Sequence, residues 1–340
     1  MTGKLIADLS LDLDNQWSYL KTHGDVNWET FPTYLPTVIP LVLDILNQLD
    51  LRITVFVVGQ DAVLETNQAA LRQLSKCGHE IGNHSFHHEP WLQRYSRAQL
   101  EEEFRLAEEA IGLITDQKLI GFRGPGYSLS EDVLDLLVIR GYKFDGSTLP
   151  TFLGPLARAY YFFRSNLSRD QAEDRKQLFG SVWDGLRSIR PYRWETSTGT
   201  VLEIPVTTMP ILRAPFHISY LLYLAQFSER LATLYFRCAL LLCRLFHLGP
   251  SLLLHPLDFL GGDEVEELNF FPAMNMPGKK KRAFVYRMLA IYKQCFDVRP
   301  MGERAEAELG RSPNKLRNQP SSTLRSDSQI TKEPAAGVVG

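Results

Sequence analysis

The chain has 340 residues, 44% of them hydrophobic and 22% charged, which suits one large globular domain or two smaller ones and excludes a wholly disordered protein. Thirty-seven basic and 39 acidic side chains give a formal net charge of -2, so no bulk attraction to nucleic acid is expected and any basic contact must be local. Cys77, Cys238, Cys243 and Cys295 form no CxxC pair, which points to reduced thiols instead of a disulfide framework or zinc knuckle. No apolar leader with a cleavage site follows Met1, so a cytoplasmic setting is expected, with the inner face of a membrane as a further option.

Over residues 4–14, Leu9, Leu11 and Leu13 alternate with Ser10, Asp12 and Asp14, the period-two pattern of a strand that turns both aspartates to one face. Residues 36–49 repeat Val38, Val42, Ile45 and Leu49 at helical spacing, residues 53–58 are a β-branched strand, and a helix is expected over 61–76. Ser96 and Gln99 form a capping box ahead of Leu100, Phe104, Ala107, Ile111 and Ile114, the clearest helix in the sequence. Ser130 can cap another helix, which Gly141 can close in the left-handed conformation. Strand-like runs return at residues 201–206 and 251–255. Strands alternating with helices indicate an α/β protein with a parallel sheet, open or closed into a barrel.

An aromatic-rich insertion falls at about 150–200, and an apolar region at residues 211–260 is interrupted by Arg213, Glu229, Arg230, Arg237 and Arg244. The longest uncharged stretch before Glu229 covers residues 214–228, shorter than the roughly 20 residues a spanning helix needs. A buried or interfacial helix is therefore expected. The basic run at residues 279–282 suits a solvated helix start, or contact with an anionic membrane or phosphate. Composition turns polar after Gly302, so the folded domain is expected to span residues 1–302 and residues 303–340 to form a disordered tail.

His84 and His88 lie four apart in GHEIGNHSFHHEP, so one helical turn or a tight loop can aim both imidazoles at one ion. Histidines at this spacing also occur without a metal, and the pair gains weight from a third ligand. Asp12 and Asp14 supply one, because two carboxylates on one strand face can divide metal binding from base catalysis. Glu203, alternating with Leu202 and Ile204, is placed as a salt-bridge partner or a residue at the barrel mouth.

These residues come in the order that marks a known group. Asp12 with Asp14, HSFHH from His84, RGPGY from Arg123, FDGS around Asp145 and LLLHP through His255 together resemble the polysaccharide deacetylase family, also called NodB-homology or carbohydrate esterase family 4. The resemblance covers roughly residues 4–300 and implies a distorted (β/α) barrel of seven or eight strands with the site at the carboxyl ends. It further implies that Asp14, His84 and His88 hold one divalent ion, for which zinc suits an aspartate and two histidines. Asp12 would be the general base, Arg123 its orienting partner and His255 the general acid, tuned by Asp145. A backbone N–H of the Gly126–Tyr127 turn would hold the oxyanion, and Leu254 would pack on the acyl methyl. The implied activity is removal of an N-acyl group from an amino sugar, free or lipid-linked. A deformylase or cyclic-amide hydrolase of the same fold, or a catalytically silent glycan-binding protein, is the alternative. Two features depart from the pattern: Leu13 separates aspartates that are usually adjacent, and no tryptophan follows Asp145 at residues 146–148, which leaves the acyl pocket without its usual wall.

Overall fold

The computed structural model describes residues 3–154, 182–310 and 316–327. Strand β1 (Ile6–Asp12) is followed by α1 (Gln16–His23), α2 (Leu35–Gln48), β2 (Thr54–Val57), α3 (Gly59–Val63), α4 (Glu65–Lys76) and β3 (Glu80–Asn83). The chain continues through α5 (Arg97–Ile111), β4 (Gly121–Phe122), α6 (Glu131–Arg140), β5 (Phe144–Asp145), β6 (Tyr192–Glu195) and β7 (Thr200–Glu203). It then forms α7 (Ile218–Ala225), α8 (Glu229–Leu245), β8 (Ser251–Leu254), α9 (Gly278–Cys295), β9 (Asp297–Arg299), α10 (Met301–Leu309) and β10 (Asn318–Pro320).

The local signals operate as the residues dictate. Ser96 accepts from Gln99 N and completes the capping box of α5, and Ser130 accepts from Val133 N while Gly141 closes α6 at φ 76°. The single helix expected over 61–76 is two helices, because Leu64 takes an extended conformation between α3 and α4.

One sheet runs in the order β10-β6-β7-β5-β4-β3-β2-β1-β8, with β9 added to β1. Every pairing is parallel except β6 with β7. Among the described residues no strand ladder closes the sheet, so the barrel is an open one. The chain just past β7 nonetheless meets β8, where Thr207 N–H donates to Ser251 O at 3.0 Å and Ser251 N–H donates to Thr207 Oγ1 at 2.8 Å.

Period two sorts β1 into two chemistries. Ala7, Leu9, Leu11 and Leu13 join the apolar layer between sheet and helices, while Asp8, Ser10 and Asp12 are buried on the opposite, interior face. Buried charges need partners. Asp8 receives Ser251 Oγ–H at 2.6 Å and an ion pair from Arg304, and Asp12 receives Arg123.

Arg304 belongs to the region expected to be a tail, and there the structure corrects the sequence reading. Helix α10 places Met301 and Ala305 in an interior cluster with Phe56, Phe144, Leu202 and Ile204. Its first turn is anchored by Met301 N–H to Thr54 Oγ1 at 2.7 Å and Gly302 N–H to Glu80 Oε1 at 3.1 Å. Strand β10 then pairs with β6. Residues 303–310 and 316–327 are thus ordered parts of the fold, and the rest of the expected tail lies outside the described residues. So does most of the aromatic-rich insertion, residues 155–181.

The basic run at 279–282 is not one surface patch. Lys281 is fully buried with Nζ donating to Leu257 O at 2.8 Å, and Arg282 pairs with Glu264 at 2.9 Å.

Candidate active site

β1 delivers Asp12 at its last residue and Asp14 two residues further on, and β3 ends just before His84. His84 and His88 lie on a tight loop, in which Ser85 and His88 adopt left-handed φ of 63° and 54°. Such values cost a non-glycine residue energy and persist where surrounding contacts impose them. Here Glu103, buried on α5, imposes them by accepting from Phe86 N at 2.9 Å, His87 N at 2.7 Å and His87 Nδ1 at 2.7 Å. Glu103 was not among the residues singled out from the sequence, since its role depends on a loop 16 residues away.

Asp14, His84 and His88 offer one ligand atom each within 4.8 Å of one another. Asp14 Oδ1 lies 3.3 Å from His84 Nε2 and 3.0 Å from His88 Nε2. His84 Nδ1 lies 2.6 Å from the Arg123 carbonyl, which can only accept, so that nitrogen carries a proton and Nε2 is the ring atom turned toward Asp14. Two imidazole nitrogens and a carboxylate oxygen turned on one point need positive charge there, from protons or from a cation, and an Asp-His-His set suits a divalent ion. Burial alone would raise the Asp14 carboxyl, but the His88 charge and hydrogen bonds to both imidazoles hold it well below the usual carboxylate range. Tyr34 OH donates to Asp14 O at 2.6 Å and Tyr19 OH to Asp14 Oδ2 at 3.3 Å, two supports that the sequence reading missed.

Asp12 has a different partner. Arg123, fully buried, donates from Nη1 to Asp12 Oδ1 at 2.6 Å and to Ser10 Oγ at 2.8 Å, from Nε to Gly146 O at 2.9 Å, and stacks 4.4 Å from the Phe56 ring. Although Leu13 splits the aspartates, one is bound to the arginine and the other to the histidines.

In the RGPGY turn Gly126 takes φ 58°, and a Cβ there would stand 2.9 Å from Pro90 Cβ, so both backbone and space favour glycine. Its N–H makes no hydrogen bond among the described residues. Tyr127 also has a left-handed φ, 62°, and burial, then the Asp12 charge, raises its phenol so that it stays protonated.

Three expected roles need correction. Asp145 was expected beside His255; it instead accepts from Ser147 Oγ at 2.6 Å and Ser147 N at 3.2 Å and faces Glu203, with no hydrogen bond to His255 among the described residues. Burial, then the charge of Asp145, pushes Glu203 well above its ordinary range, so the two carboxyls hold a proton between them. Glu203 is fully buried, bonded to Thr148 Oγ1 at 2.6 Å and Trp194 Nε1 at 2.9 Å, so it is not at the mouth, and it makes no salt bridge among the described residues. Leu254 shares its register with Leu11 and joins the helix-facing layer, so it does not face the interior; alternation gives that side to Leu253 and His255.

His255 takes its partners from elsewhere. Its Nδ1 lies 3.0 Å from Ser219 Oγ on α7, and its N–H donates to Asp258 Oδ2 at 2.8 Å, with Ser219 also bonded to Asp258. Asp14, Tyr19, Ser219, His255, Asp258 and Lys281 line a common cavity of about 120 Å³ whose apolar wall includes Leu222, Leu257 and Phe271. Burial draws the Lys281 ammonium down to about 8. His217, which belongs to none of the motifs, has its ring 6.1 Å from that of His255. Burial, followed by the charges of His255 and Arg123, lowers His217 to about 3, so it is neutral at pH 7.

The polysaccharide deacetylase family model matches residues 20–144, a span that contains His84, His88 and Arg123 but ends short of Asp145 and His255 and begins after Asp14. Among solved structures, a protein of Mycobacterium smegmatis described as a polysaccharide deacetylase is similar at 19% identity and TM-score 0.62, covering 93% of each chain. A carbohydrate esterase family 4 domain of a multidomain xylanase from the hindgut metagenome of Trinervitermes trinervoides has 13% identity and TM-score 0.44, over 92% of this chain and 94% of that one. A family 4 pseudoenzyme from Bacillus anthracis has 13% identity and TM-score 0.45, over 89% of this chain and 66% of that one. The resemblance read from the sequence therefore holds: residues 20–144 match the polysaccharide deacetylase family, and the fold is shared with the mycobacterial protein over nearly the whole chain.

Proposed function

We propose that the protein is a metal-dependent hydrolase that removes an N-acetyl or related acyl group from an amino sugar of a glycan. The observation that carries this reading is the convergence of Asp14, His84 and His88 on one point, with the Asp12–Arg123 pair beside it. The family match over residues 20–144 supports it. A divalent ion, zinc in this reading, supplies Lewis acidity and lowers the pKa of water toward roughly 7 when bound.

The chain's own residues account for the other needs of amide hydrolysis. Arg123 occupies Asp12 Oδ1, which fixes the carboxylate and leaves Oδ2 to accept the proton of the attacking water. The unengaged N–H of Gly126 suits the developing oxyanion, a contact typically worth about 2.7–4 kcal/mol. The amine leaves only when protonated, and His255 is the residue type for that step at neutral pH. Ser219 and Asp258 would set its orientation: Nδ1–H would donate to Ser219 Oγ and Ser219 to Asp258, and Nε2, without a hydrogen bond among the described residues, would be left for the leaving nitrogen. The cavity's mixture of hydroxyl, carboxyl and aromatic surface suits a sugar, and a lipid-linked glycan is within this proposal.

The test is release of acetate from N-acetylglucosamine oligomers, measured with and without a chelator. Acetate release that stops on chelation and returns with added zinc is expected; no release from N-acetylated or N-formylated sugars would remove the proposal.

A further inference from the structure

Helix α8 is apolar on two opposite faces. Ala232, Phe236, Ala239, Leu240 and Cys243 are buried against the rest of the protein. On the other side Leu231, Leu234, Leu241 and Leu245 are 65%, 57%, 54% and 64% exposed, and Cys238 between them is exposed as well. These five follow one another at intervals of three, four, three and four, so at about 100° per residue they form a single stripe along the outer surface. Arg230, Arg237 and Arg244 repeat every seven residues, are all exposed, and form a row along one edge of that stripe. None of the three guanidinium groups has a hydrogen bond or ion pair among the described residues, and no exposed residue of α8 is acidic. The adjoining turn adds Phe227 at 78% exposure, together with exposed Tyr223 and Leu224 at the end of α7.

We propose that α8 is a peripheral docking helix for an anionic membrane surface, lying flat with the leucine stripe in the headgroup region and the arginine row on lipid phosphates. Charge complementarity selects this occupant. A second copy seated on the same stripe would bring arginine rows into one interface without an acid to match either, whereas anionic lipid neutralises all three. The helix lies on the surface and does not cross, since no helix among the described residues is long and apolar enough to span a membrane. Docking brings the catalytic cavity near the bilayer, because α8 packs on α7, and α7 supplies Ser219 and Leu222 to the cavity wall. The proposal does not depend on the deacylase reading, and its test is read without turnover.

The full chain is co-sedimented with vesicles of phosphatidylcholine alone and of phosphatidylcholine mixed with phosphatidylserine, at low and high salt. Binding to the mixed vesicles that weakens with salt is expected. Replacing Arg230, Arg237 and Arg244 together by Gln should lower partition by about a hundredfold, roughly fivefold per charge. Leu231→Ser with Leu241→Ser should abolish it, and both variants alter only exposed side chains, so the fold should be retained by circular dichroism. No sedimentation with the anionic vesicles, or binding that neither variant changes, would overturn the proposal. A lipid-free dimer that the leucine variant dissolves would also overturn it, by giving the stripe to a second copy.

Discussion

Replacing Arg123 by Met would strand Asp12. The guanidinium is fully buried, and its 2.6 Å contact is the counter-charge for a carboxylate only 5% exposed. Breaking such a pair from one side leaves an uncompensated charge in the interior and costs about 3–5 kcal/mol. The bonds to Ser10 and Gly146 are lost at the same time. Adding Asp12→Asn to Arg123→Met removes the stranded charge, so the double variant should be more stable than the sum of the single losses predicts by about 1–3 kcal/mol. Urea denaturation of the four proteins at one pH measures both quantities. A loss below about 1 kcal/mol for Arg123→Met, or strict additivity in the cycle, would refute the view that Arg123 holds Asp12 by charge.

Asp12→Asn should keep the bound metal and slow turnover by about a hundredfold to ten-thousandfold, as metal analysis alongside acetate release would show. Truncation after Pro300 should cost about 3 kcal/mol or more, because Asp8 loses Arg304 and the interior loses Met301 and Ala305; an unchanged thermal melt would count against the packing of α10. His217 ties stability to pH. Its folded value of about 3 lies below the unfolded value of about 6.5, so its contribution is complete above about pH 6.5 and is lost as pH falls toward 3. At pH 5 that loss is about 2 kcal/mol relative to neutral pH, and His217→Gln should flatten this part of the stability profile; an unaltered profile would place the acid sensitivity elsewhere.

What could be read beforehand was whatever lies close together in sequence. The face shared by Asp12 and Asp14 follows from period two, and the ends of α5 and α6 follow from Ser96, Ser130 and Gly141, because caps and pleats act within a few residues. The four-residue spacing of His84 and His88 was equally local. The partner of His255 was not, since Ser219 stands 36 residues earlier and reaches it only through the packing of α7 against β8. Asp145 lies near Arg123, but the strand order sets β5 beside β7 and gives it Glu203. The polar composition of α10 concealed its place in the core, because Arg304 is buried by Asp8, 296 residues away. A buried arginine and an exposed one are identical in sequence until the opposing acid is located.

Metal content and acetate release, measured together on the wild type and on Asp14→Asn, test the central claim most directly. Purified without chelator, the wild type should carry about one divalent ion and release acetate from N-acetylglucosamine oligomers, while Asp14→Asn, folded by circular dichroism, should lose both. A metal-free wild type that turns over at full rate, or an Asp14→Asn protein that keeps the ion and the activity, would contradict the assignment of Asp14, His84 and His88 as a catalytic metal centre.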